Sequence, residues 1–421
     1  MEASISERPK YNRIIPVIAS VAIQFCIGAA YIWSVFQSYL IITKATPDAL
    51  FNWPPTYGTL AYSLVLGCLG IGGMLGGKIQ RRYSMRVVVI TSGVLTGLGF
   101  FLAQFTAEST PWFLWLTYGI MGGLGMGISY TNTISCCQKW FPDKKGLIGG
   151  IVVSALGFGG FAFTPLTEYL ISIYGVLHTF GILGIIILII GLTGSFFIKN
   201  PPEGFMPQGW TPPAPKPGQI IKDFSVKEAL HTPQFYMVAL AFMCATSSGA
   251  MMTPMAKILG LQTGSGLTRE AAISGVMIIS IFNAFGRIFW GGLSDKFGRK
   301  ITLTLLSCIT IASIIGVGFA HSYAILILIG LIGFSFGGFL GVFPALAADF
   351  WGSKNFGTIY GMVLIGFGIG VIISSFTVAS LSARNAFTTA FIIAAIAAAT
   401  GLVIISFTKQ PTIKEKNSEA A

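Results

Sequence analysis

Residues 276–300 read VMIISIFNAFGRIFWGGLSDKFGRK. An apolar run ends in Gly291 and Gly292 and passes at once into a short loop of mixed charge. One arginine, Arg287, stands inside the run, eight residues before Asp295, or about 12 Å along a helix. Charge at that depth is expensive in lipid, roughly 2.5–3.5 kcal/mol on insertion scales. The stretch therefore reads as a bilayer-spanning helix whose arginine faces a protein interior or a watery cavity. The bland alternative, an arginine snorkelling to the membrane surface, fits this depth less well. A second stretch repeats the ending: residues 76–86 read GGKIQRRYSMR, with the glycine pair and the basic tail 215 residues before Gly291.

Working outward, six apolar runs of spanning length precede a polar stretch and six follow it. The first set covers roughly 14–42, 57–77, 87–105, 112–137, 147–171 and 176–198. The second covers roughly 233–258, 270–292, 300–320, 323–348, 358–381 and 384–407. The two GG-basic loops fall at matched places, after the second and eighth runs. The expected fold is an all-α integral membrane protein of twelve transmembrane helices in two pseudo-symmetric six-helix bundles. Its parts are residues 1–198, a connector at 199–232, and residues 233–421 with a polar tail after Phe407 that reads as disordered. The connector carries Pro201, Pro202, Pro207, Pro212, Pro213, Pro215 and Pro217 and reads as semi-rigid and extended, with a short surface helix near 224–230.

Of 26 Lys and Arg, Arg287 lies within a span and four (Lys44, Lys257, Arg269, Arg384) fall in one set of loops, leaving 21 in the other set or the tails. By the positive-inside rule both termini are expected in the cytoplasm. The first run is too long for a signal-peptide core and is followed by similar runs, so it reads as a retained helix. Charged residues make up only 10% of the chain, against roughly 25% in soluble proteins. The formal net charge of +12 would suggest nucleic acid in a soluble protein; here it sits in membrane-flanking loops, and no nucleic-acid partner is expected. Cys26, Cys68, Cys136, Cys137, Cys244 and Cys308 all lie in apolar runs without metal-ligand spacing, so they read as packing residues.

The loop GGLSDKFGRK resembles the signature of the major facilitator superfamily through Gly292, Asp295, Phe297, Gly298, Arg299 and Lys300. Its first-half counterpart departs from that pattern, with Gln80 for an acid and Ser84 for a glycine. QKWFPDKKG at 138–146 is similar to a loop of the oxalate/formate antiporter family. GAAYIWSVF in helix 1, GFSFGGFLGVFPALAADF in helix 10 and IYGMVLIGFGIG in helix 11 resemble that family's lactate- or pyruvate-type branch. The resemblance implies a bacterial cell-membrane carrier of small carboxylates, acting as a monomer, with the two basic loops latching the cytoplasmic side.

The candidate substrate-binding residues follow. Arg287 offers a planar fork for a carboxylate. Asn283, one turn before it on the same face, either bonds a substrate oxygen or only satisfies Arg287; both readings are open. The resemblance implies that Tyr31 and Tyr130 line the cavity, where each hydroxyl could donate beside an apolar ring. Phe336 and Leu340, four residues apart, and Leu156 would supply an apolar wall, with plain packing as the alternative. The resemblance also implies a helix-11 lysine in oxalate carriers, and none occurs from Thr358 to Leu381. One buried cation suits one carboxylate, because an unpaired buried charge is costly. The expected substrate is thus a monocarboxylate: L-lactate first, then pyruvate or formate.

Coupling is less plainly written. No Asp, Glu or His falls in the middle third of a span, so a coupled proton would travel with the substrate; anion exchange is the alternative. No cofactor is expected beyond that proton. No catalytic cluster, ion-filter loop or Walker loop appears, which argues against an enzyme, a channel and an ATP-driven pump. A same-fold carrier of an unrelated solute remains the rival reading. Glycines at spacing four, Gly72/Gly76, Gly123/Gly127, Gly333/Gly337/Gly341 and Gly366/Gly370, predict close helix packing.

Overall fold

The computed structural model describes residues 12–42, 48–202, 204–207, 209–211, 223–261, 269–384 and 386–411. The tail from residue 412 onward, and the part of the connector holding Pro212, Pro213, Pro215 and Pro217, lie outside these residues.

The described chain is helical, with one isolated bridge, Ile41 to Phe51. Helix α1 is built in three pieces, Ile14–Ile27, a 3₁₀ segment Gly28–Ile32, and Trp33–Leu40. Helices α2 (Pro55–Arg82) and α3 (Met85–Ala103) follow. Helix α4 comprises Pro111–Leu114, a π segment Trp115–Gly122, and Gly123–Trp140. Helices α5 and α6 are the two arms of Lys145–Phe197, broken at Gly175 (φ 77°, ψ 164°). After a surface helix, Val226–Leu230, come α7 (Pro233–Leu261), α8 (Arg269–Phe297), α9 (Arg299–Val317), α10 (Tyr323–Trp351), α11 (Phe356–Ala383) and α12 (Phe387–Phe407).

Nine helices among the described residues are long and apolar enough to cross a bilayer. Lys145–Phe197 supplies two spans. Gly159 packs on Phe25 and Gly194 on Ile23, two neighbouring places on α1, whereas 35 residues of straight helix would separate them by about 50 Å. The chain therefore reverses at Gly175, whose positive φ a glycine adopts without strain. With the split helices α1 and α4, the twelve expected spans are present.

Several helices outrun their apolar runs: α2 reaches Arg82, α8 Phe297 and α10 Trp351. Basic residues end α2 and α8, where they suit the negative end of the helix dipole. The expected surface helix forms over Val226–Leu230, started by a capping box between Ser225 and Glu228. Ile18, Phe161, Ile189, Phe196 and Ile327 are largely exposed, as lipid-facing side chains should be. The chain is a multi-pass membrane protein.

Glycine spacing sets the packing. A side chain on Gly72 or Gly127 would strike the backbone of Leu124 or Leu69, so α2 and α4 pack at backbone distance. Gly333, Gly337 and Gly341 of α10 lie on the carbonyls of Ile279, Asn283 and Arg287 of α8. The same α8 turns that carry the candidate polar residues are thus seated on a smooth stripe. The halves meet chiefly where α2 packs on α11 and α5 on α8.

Candidate functional site

Arg287 sits ten residues before the end of α8, about 15 Å deep, and is 1% exposed. It reaches across to the first half. Its Nη1 donates to the carbonyl of Val153 on α5 at 2.7 Å. Its Nη2 donates to Asn283 Oδ1 at 2.8 Å and, more loosely, to the Tyr31 hydroxyl of α1 at 3.4 Å. Among the described residues no carboxylate lies within ion-pair distance of it. Arg287 Nε and Asn283 Nδ2 are buried without a hydrogen-bond partner. Neutral acceptors solvate the guanidinium in part, and its charge is unmatched. Such a group attracts an anion small enough to enter.

Beside it lies a cavity lined by Tyr31, Leu66, Leu69, Tyr130, Leu156, Arg287, Leu340, Leu364 and Phe367. It is small, with room for little more than a water molecule, so any organic ion must widen it by moving helices. The structure brings five of the expected residues to this wall, Tyr31, Tyr130, Leu156, Arg287 and Leu340. Asn283 joins through Arg287, which realises the Arg-satisfying reading and leaves its Nδ2 over.

Phe336 is placed elsewhere. It is not among the cavity-lining residues; its ring lies over Gly249 on α7. Four residues turn a helix by about 400°, so Phe336 and Leu340 diverge enough for one to face α7 while the other faces the cavity.

Sequence reading missed four lining residues. Leu66 and Leu69 of α2, and Leu364 and Phe367 of α11, carry no distinguishing chemistry and sit in uniformly apolar runs. It also missed Tyr360, which is fully buried, with its hydroxyl beside that of Tyr130 and within electrostatic reach of Arg287. The motif quoted from helix 11 contains it.

The face bearing the basic loops is closed. Asp295, at the end of α8, accepts hydrogen bonds from the Gly146 and Leu147 amides at the start of α5, at 2.9 and 2.8 Å. Arg299 lies 2.6 Å from Asp295 and 2.8 Å from Asp349, and Lys145 lies 3.0 Å from Asp349. Two acids and two bases thus clamp α5 of the first half to α8 and α10 of the second.

The profile of the Major Facilitator Superfamily matches residues 17–317 and 265–421. The chain is 33% identical over 364 residues, 86% of each chain, to the uncharacterized MFS-type transporter YhjX of Escherichia coli. It is 28% identical to the oxalate:formate antiporter of Oxalobacter formigenes, over 79% of this chain and 77% of that one. In fold it is similar to the crystal structure of the transporter FucP in the outward conformation, with a TM-score of 0.68 at 18% identity, covering 95% of this chain and all of that one. These relatives are transporters, not enzymes. The twelve spans, the repeated halves and the profile match over nearly the whole length lead to one assignment: the chain belongs to the Major Facilitator Superfamily.

Proposed function

We propose that this transporter carries a small monocarboxylate, L-lactate first and pyruvate or formate next, by alternating access around Arg287. The observation that carries the reading is Arg287, the one buried guanidinium without an acid partner among the described residues, beside a wall of leucine and phenylalanine. One cation balances one carboxylate, and the wall suits a methyl group. A dianion would bring a second charge against Leu364 and Phe367, which cannot pair it. The basic-loop face is read as cytoplasmic, in the cell membrane of a bacterium, and the protein as a monomer.

The proton is read as travelling with the substrate, because no Asp, Glu or His is among the residues lining the cavity. Anion exchange is the second reading, favoured by the antiporter relative. Acid-driven lactate uptake into proteoliposomes without internal anion supports symport; strict dependence on internal anion replaces it with exchange.

The deciding experiment is radiolabelled L-lactate uptake by wild type and Arg287→Ala, with unlabelled pyruvate, formate and oxalate as competitors. Uptake by wild type alone, weakly opposed by oxalate, is expected. Absence of lactate uptake, or equal uptake by the variant, overturns the substrate and the site.

A further inference from the structure

The two halves carry the same closure motif with different charges. Asp295 holds the start of α5 through two backbone amides. At the matched place in the first half, 215 residues earlier, stands Gln80, which bonds Asn200 and Met85 on its own side instead. The loops that these residues face are also repeats: QKWFPDKKG at 138–146 aligns with DFWGSKNFG at 349–357, sharing the tryptophan and the final glycine. There Gln138 takes the place of Asp349. The first half therefore carries glutamine at both places where the second half carries an acid. At the start of α11 the Thr358 hydroxyl, able to donate to an acid, is buried without a hydrogen bond.

A carboxylate is present there from another source. Asp223, in the connector, accepts from the Ser353 and Lys354 amides at 2.7 and 3.0 Å, just before α11 begins. These lengths match the Asp295 pair. The connector is fastened again at the next residue. Phe224 donates its amide to the Trp351 carbonyl at 3.0 Å and accepts from Asn355 Nδ2 at 2.7 Å. Asn355 in turn accepts from Arg81, at the end of α2, at 3.5 Å. Lys139, at the end of α4, lies within electrostatic reach of Asp223. The carboxylate thus bonds two backbone amides of the second half, and the Asn355 beside it carries the link to Arg81 of the first.

We infer that Asp223 of the connector replaces the acid missing at Gln80, so that the α2/α11 side of the basic face is latched by the connector while the α5/α8 side is latched by Asp295. Asp295 offers its charge to amides in the first turn of α5, where it is favoured, and Asp223 offers its own to the loop amides just before α11. The consequence is that the connector takes part in opening and closing. When the face opens, either Asp223 must release the α10–α11 loop or Asn355 must release Arg81, while the α5/α8 clamp breaks separately. The inference holds for any solute this fold carries.

The test uses the full chain in lipid nanodiscs without substrate, so it stands apart from the proposed cargo. Thr358 is 1% exposed in the closed face, and Thr358→Cys places a thiol there. The readout is its rate of reaction with a hydrophilic maleimide, with the parent protein as a blank for native cysteines. Asp223→Ala should raise the rate about tenfold, as expected for losing charge-assisted hydrogen bonds, without altering elution or yield. Adding Gln80→Asp to Asp223→Ala should restore the slow rate, because it returns the acid to its repeat position. An unchanged rate in Asp223→Ala overturns the inference. A raised rate that Gln80→Asp leaves raised also overturns it, since Asp223 would then only anchor the connector.

Discussion

Asn283 Oδ1 accepts a hydrogen bond from Arg287 Nη2 at 2.8 Å, one turn apart on α8. The guanidinium is thereby held toward the first half, yet its charge meets only neutral oxygens. A cation kept this way burdens the empty protein. Arg287→Met should abolish carboxylate uptake while leaving melting temperature unchanged or higher, since replacing a buried charge by an apolar side chain is often neutral or stabilising. A large fall in melting temperature would show that Arg287 is structural.

Charge alone should not suffice at this position. Arg287→Lys keeps the cation but loses the planar fork that bonds Val153, Tyr31 and Asn283 together. Uptake should fall at least tenfold, chiefly through a higher KM. Wild-type kinetics in this variant would remove bidentate recognition from the account.

Helix α11 presents Leu364 and Phe367 to the cavity and no cation. Phe367→Lys would place a second positive charge opposite Arg287. Lactate uptake should weaken, and oxalate should become the stronger competitor, because the pocket then matches two carboxylates. Unchanged competition would mean that α11 does not set the charge of the cargo.

The Asp295 clamp spans the two halves through backbone amides. Asp295→Asn removes the charge that pairs with Arg299 at 2.6 Å and weakens the bonds from Gly146 and Leu147. Amide exchange at those two residues should rise about tenfold, while exchange at Ser353 and Lys354 stays as in wild type. Equal acceleration at both places would show that the two sides open as one unit.

Gly337 lies where a side chain would strike the Asn283 carbonyl. Gly337→Val should destabilise the α8/α10 pair by ~1–3 kcal/mol, as overpacking does, read as a lower melting temperature in detergent. Gly67→Ala, whose new methyl would meet only Ile372 at 3.5 Å, should be tolerated.

Much of the architecture was legible because lipid imposes it. A spanning helix must be apolar for about 20 residues, so the runs mark themselves, and repeated loops at matched places announce the two halves. Arg287 was legible for the same reason, as a charge where charge is costly. Helix breaks were less visible: Gly175 reverses the chain inside a continuous apolar stretch, and the π segment in α4 has no residue signature.

The sequence by itself determined the apolar spans and the depth of one arginine within them, since in lipid each polar residue is costly and marks its own place. Tertiary structure decided which apolar residues meet that cation. Leu66, Leu364 and Phe367 reach the cavity while Phe336 turns to Gly249. In a wholly apolar helix every face reads alike, and only packing against a neighbour selects one. Tertiary structure also decided that Asp223, within a proline-rich connector, would meet the start of α11, because a carboxylate finds backbone amides by proximity in space, which chain position does not record.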